Sequence, residues 1–158
     1  TPPIRRRGTL NTIASLKEAR VIGSYRQSDG KPSIYSSAAS SDAVGDGRTA
    51  PTCVYPGEGG PALFGLMGAG SKSGSAALMS GTSFSTALAT RAGSQAMLTW
   101  MDNGRQGDAP GTEDWFCALA EEDEEQAGWP GRTTPEKTGC GRVSAPETGR
   151  MRRAPERN

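Results

Sequence analysis

From Ser83 to Asp102 the chain runs without a proline, although its 158 residues carry 11 Pro and 22 Gly. That span is too long for one strand, and Phe84, Ala87, Leu88, Met97, Leu98 and Met101 are available for the buried stripe of a helix. Thr82 is a good N-cap type ahead of it, and Asn103-Gly104 supplies a stop behind it. At 1.5 Å per residue such a helix reaches on the order of 30 Å, enough to cross a domain. Its many Ala, Ser, Thr and Gly residues suit close packing against a sheet.

A helix of that kind needs a partner layer, and the apolar residues that can build one lie between Ile13 and Met101. They are few, since only 34% of the chain is hydrophobic. Ala19 to Tyr25 is a short β-type run, followed by the turn Ser28-Asp29-Gly30-Lys31-Pro32 and a second run, Ser33-Ile34-Tyr35. This predicts strand, turn, strand. Cys53-Val54-Tyr55 reads as a short buried strand and Leu63-Phe64-Gly65-Leu66-Met67 as a loop or strand segment. After Asn103 the text turns to Gly, Pro, Glu, Arg and Thr, so 104–143 is expected to be loop-rich around one acidic helix, Asp114 to Gln126. Its Glu121-Glu122-Asp123-Glu124-Glu125 run reads as a solvated row of like charges rather than a cation site. Acids at a helix C-terminus also oppose the macrodipole, which predicts a frayed last turn. The domain is taken as 1–143, and Ser144 to Asn158 as a disordered basic tail.

Several function classes are disfavoured. A net charge of +1 gives no field to attract nucleic acid, and no apolar run approaches the length of a membrane span. Cys53, Cys117 and Cys140 are odd in number and lack CxxC spacing, and there is no histidine to complete a zinc set. Neither a disulfide framework nor a structural metal is expected, and no cofactor is implied. The chain begins at Thr1 instead of Met, as a fragment or a processed product does.

The chemistry-bearing stretch is Ser80-Gly81-Thr82-Ser83-Phe84, at the head of the predicted helix. Free N–H groups and the helix dipole meet there, so a serine in the first turn has an oxyanion donor in its own N–H. Gly81 lets the backbone approach a substrate, and Phe84 can anchor the helix below the serine. Other serine motifs fit less well: Gly81-Thr82-Ser83-Phe84-Ser85 lacks the last glycine of a G-x-S-x-G elbow. Gly65 to Ser75 lacks the glycine that a phosphate loop places directly before its lysine, here Lys72.

The flanks are more specific than the tripeptide. Ser80-Gly81-Thr82-Ser83-Phe84 with its small-residue helix resembles the nucleophile motif of subtilisin-like serine proteases, the subtilases. Arg20-Val21-Ile22-Gly23-Ser24-Tyr25, Ser28-Asp29-Gly30 and Tyr35-Ser36-Ser37 look like that family's preceding strand and loop. Val54-Tyr55-Pro56-Gly57 looks like its Val-Ala-Pro-Gly, Ser73-Gly74-Ser75 precedes the nucleophile as in bacterial members, and Gly139-Cys140-Gly141-Arg142-Val143 is similar to its closing Gly-x-Gly-Arg-Val. The landmarks keep the family's order from about Gly8 to Val143.

The resemblance implies an α/β fold of three layers, with a mostly parallel sheet and a central helix starting at Ser83. It implies a serine endopeptidase that cleaves polypeptide substrates through an acyl-enzyme on Ser83, which serves as nucleophile and as one backbone oxyanion donor. The family's order is Asp, His, Ser, so it puts the other two triad members in an N-terminal part of the same domain ahead of Thr1. Without histidine, the chain alone is expected to be inactive. The alternative is a truncated or degenerate domain that binds peptides or a partner and does no chemistry.

Overall fold

Tyr25, Val54 and Tyr55 are almost wholly excluded from solvent, and a strand pair that buries such residues on both faces must be covered on both. β1 (Ile22–Arg26) and β2 (Cys53–Glu58) form that pair in parallel register, from Ile22↔Cys53 to Tyr25↔Pro56. The computed structural model describes residues 8–11, 13–16, 18–39, 50–59, 65–106, 109–127 and 135–144. Within them the protein is mixed α/β, with one parallel and one antiparallel two-stranded sheet. The second sheet is a hairpin of β3 (Leu66–Ala69) and β4 (Ala76–Met79), which feeds straight into α1 (Thr82–Asp102).

α1 lies across β1 and β2, α2 (Glu113–Ala127) rests on β2, and the short α3 (Pro135–Thr138) meets both strands. The core gathers Cys53, Tyr55, Ala89, Trp115, Phe116, Leu119, Ala120 and Val143. On the other edge of β2, Val54 donates to Gly141 O at 3.0 Å and Val143 donates to Val54 O at 2.8 Å, so 141–143 runs parallel beside it. Tyr25 ties this strap to β1 by donating its hydroxyl to Val143 O at 3.1 Å.

The predicted second strand at Ser33–Tyr35 does not form. One side-chain hydroxyl takes a backbone group that a longer ladder needs: Ser36 Oγ accepts the Ser24 N–H at 3.0 Å, so pairing stops at the bridge Tyr25↔Pro32, where Arg26 donates to Lys31 O at 2.8 Å and Ser33 to Ser24 O at 2.9 Å. α1 runs as long as expected and ends on Asn103, with Gly104 and Arg105 both at positive φ, but its N-cap is Gly81 instead of Thr82. Its buried face matches the predicted stripe only in part, since Leu88 packs on the core as expected. Ser85 and Ala89 are buried, with Leu88, Ala92 and Ala96 packed on the core, whereas Leu98 is 63% and Met101 50% exposed. Small residues win that face because they let the helix axis come close to β2, and at 3.6 residues per turn Leu98 then points well away from it.

In α2 the acidic row is not uniformly solvated. Glu121, Glu122 and Glu125 are exposed, but Asp123 is buried and accepts the Ser144 N–H at 2.7 Å. That bond tethers the first residue of the predicted tail; 145–158 lie outside the described residues, as do Leu63 and Phe64.

The cysteine arithmetic is overturned as well. Cys117 of α2 is disulfide-bonded to Cys140, with 5.0 Å between the Cα atoms and 23 residues between the two in sequence. Odd number and irregular spacing hid a pair that only the docking of α2 beside the strap brings together. Gly139 makes this possible: at φ +60 it turns the chain where a Cβ would lie 2.6 Å from Thr52 O, and Cys140 then donates to that same oxygen at 3.0 Å.

Replacing both Cys117 and Cys140 by serine is expected to lower stability by about 3 kcal/mol, the loop-closure value for this spacing, read from the urea midpoint. Cys53 is fully buried, and burial pushes its thiol well above the ordinary range, with Glu113 adding to the shift. A thiol reagent is therefore expected to find no reactive thiol in the native protein and one after denaturation. A native thiol titre of one would show the pairing or the burial to be wrong.

Candidate active site

Ser83 is the second residue of α1 and is exposed. Its exposure follows from how the helix begins. Gly81 adopts φ 137 and ψ 160, a conformation open in practice only to glycine, and its N–H donates to Gly57 O at 3.0 Å. The Gly81 carbonyl then receives the N–H groups of Phe84 at 3.0 Å and Ser85 at 3.3 Å. Among the described residues the Thr82 and Ser83 N–H groups make no hydrogen bond, so two donors are left unpaired at the helix end that carries Ser83.

Two neighbours of Ser83 do structural work. Ser85 is completely buried, and its hydroxyl spans Tyr55 O at 3.1 Å and Pro56 O at 3.0 Å, fastening α1 to the end of β2. This separates the two serines: Ser85 is spent on the backbone and Ser83 is available. Phe84 sets its ring against Gly68 of β3, where an added Cβ would stand 3.4 Å from Phe84 Cε2. The hairpin and the helix thus hold one another at the serine.

Gly57 is the point of closest approach in this arrangement. A Cβ there would run into Ser24 Oγ and stand 2.7 Å from Ser85 Oγ. The glycine was legible as part of Val54-Tyr55-Pro56-Gly57. Its steric role was not, because the atoms that crowd it come from β1 and α1.

Histidine, the usual proton acceptor for a serine, is not available here. The chain contains no histidine. Lys72 lies in the tip of the β3–β4 hairpin, which is closed by Ser75 N–H and Oγ donating to Lys72 O. Three residues of β4 separate that tip from Met79 at the serine end, about 10 Å at strand rise. Asp29 is bound by the Arg26 guanidinium at 2.9 and 2.6 Å, which holds its carboxyl below the usual carboxylate range and weakens it as a base. Asn11 caps the turn at Ile13–Ser15 by accepting the Ala14 N–H at 2.9 Å and offers no oxyanion donor by this contact.

On the flank of α1 a groove of about 560 Å³ is lined by Ile22, Thr86, Thr90, Met97, Leu98 and Phe116, among others. No group of three or more potential metal ligands occurs among the described residues. No helix among them is long and apolar enough to cross a membrane. Comparison with known protein families, with curated proteins and with solved structures finds no match.

Proposed function

We propose that this chain carries the nucleophile half of a subtilisin-like serine endopeptidase site, with Ser83 attacking the scissile carbonyl and its own N–H helping to hold the oxyanion. The observation that carries this reading is the pairing of an exposed Ser83 with two unbonded N–H groups at the helix start, next to a fully committed Ser85. The parallel β1–β2 pair, the α1 packing across it and the strap at Arg142 are in keeping with a three-layer subtilase domain.

The base and its aspartate then come from a separate polypeptide segment, since the chain itself has no imidazole. The apolar groove along α1 and the exposed Leu98 and Met101 suit cover by such a segment. In a complete site the histidine takes the Ser83 proton, the acyl-enzyme forms with loss of the amine, and water releases the acid. The absence of histidine favours the second reading, a domain that binds peptide or partner without chemistry. Fluorophosphonate labelling with imidazole supplied as external base separates the two: an adduct at Ser83 that Ser83→Ala abolishes supports the enzyme, and an unlabelled Ser83 favours the binding module.

A further inference from the structure

Tyr35 is 41% exposed, yet its hydroxyl is committed. It donates to Gly57 O at 2.9 Å. Behind it, Ser24 donates its hydroxyl to Tyr35 Oη at 3.4 Å, and Ser33 Oγ lies 2.9 Å from Ser24 Oγ. Ser24 and Ser33 are both fully buried. A carbonyl can only accept, so the Gly57 end fixes the direction of the whole chain of hydroxyls: Ser33 donates to Ser24, Ser24 to Tyr35, and Tyr35 to Gly57. Bonds aligned in series in this way polarise and strengthen one another.

Gly57 O has a second donor, the Gly81 N–H at 3.0 Å. With one side of that carbonyl held by the phenol, its remaining acceptor direction is fixed on Gly81. Gly81 has no side chain to brace it and no side-chain cap, while its peptide orientation decides where the Thr82 and Ser83 N–H groups and the Ser83 Cβ point.

We infer that Tyr35 is a positioning residue for Ser83, acting through the Gly57 carbonyl and the Gly81 N–H that this carbonyl holds. The inference rests on the reading of Ser83 as nucleophile. Removing the phenol leaves Ser24 without its acceptor and lets water share the Gly57 oxygen, so the Gly81 peptide gains freedom and the oxyanion donors lose their aim.

The test is Tyr35→Phe in the full chain, labelled with ¹⁵N. Gly81 amide exchange is expected to rise about tenfold, the effect of one weakened hydrogen bond, with shifts moving at Gly81, Thr82 and Ser83 while the β1–β2 ladder and α2 stay unchanged. In imidazole, the maximum rate of Ser83 labelling by a fluorophosphonate is expected to fall about tenfold at an unchanged half-saturating probe concentration. Ser33→Ala, at the far end of the relay, is expected to give the same pattern at smaller amplitude. Unchanged Gly81 exchange, exchange raised evenly across the protein, or a wild-type labelling rate in Tyr35→Phe overturns the positioning role. A wild-type chain that stays unlabelled in imidazole while the Gly81 shifts still respond to Tyr35→Phe overturns the nucleophile reading instead, and leaves the relay's hold on Gly81 standing.

Discussion

Incubated alone with a fluorophosphonate at neutral pH, the 158-residue chain is expected to carry no adduct at Ser83 on the timescale that saturates an intact serine protease. A serine hydroxyl at its ordinary pKa is a weak nucleophile and needs a base within hydrogen-bonding reach. In subtilisin the loss of the histidine alone costs about 10⁶ in kcat, and what survives depends on the oxyanion hole and on binding. Here the helix-end N–H groups of Thr82 and Ser83 are present, but the chain has no histidine, and neither Lys72 nor an aspartate has a sequence-level case for replacing one. Lys72 is a hairpin length away and Asp29 is tied to Arg26. Intact-mass spectrometry and peptide mapping read the result directly. Rapid labelling at Ser83 without imidazole would mean that a base exists within the chain, and preferential labelling of another exposed serine, such as Ser80 or Ser75, would remove Ser83 from the nucleophile role.

Gly57→Ala is expected to destabilise the protein by about 2 to 6 kcal/mol. Forcing a methyl into a filled site costs about 1–3 kcal/mol, and displacing the buried Ser24 or Ser85 hydroxyl from its partners adds about 1–3 kcal/mol. Against a typical total of about 5–15 kcal/mol, that change removes a large part of the folded population. Both obstacles are rigid. Ser24 belongs to β1, and Ser85 Oγ is pinned by two carbonyls of β2.

Gly74→Ala is the control. Gly74 has φ +73 and open space around its would-be Cβ, so only left-handed backbone strain applies, about 1–2 kcal/mol. Urea midpoints of the two variants therefore separate steric crowding from loss of glycine freedom. Equal midpoints would show that β1, β2 and α1 do not meet at Gly57 as described.

The same residues show how far the sequence reaches. A proline-free stretch behind Gly-Thr-Ser is a local property, and α1 follows from it because helix formation is decided within a few turns. The buried run at Cys53-Val54-Tyr55 and the helix after Asp114 are legible for similar reasons, and the absence of a proton acceptor of the right kind is a matter of composition alone. Long-range geometry decided the remainder. Which face of α1 is buried depended on how closely Ser85 and Ala89 let it approach β2. The fate of Ser33–Tyr35 depended on Ser36 capturing a strand N–H twelve residues away. The Cys117–Cys140 pairing depended on α2 docking beside a strap that Gly139 turns. The sequence alone determined that Ser83 heads a helix and has no histidine within the chain. Only the tertiary structure decided that Ser85 is spent while Ser83 makes no hydrogen bond among the described residues, because the carbonyls that occupy Ser85 belong to a strand about thirty residues earlier and come within reach only when α1 packs on β2.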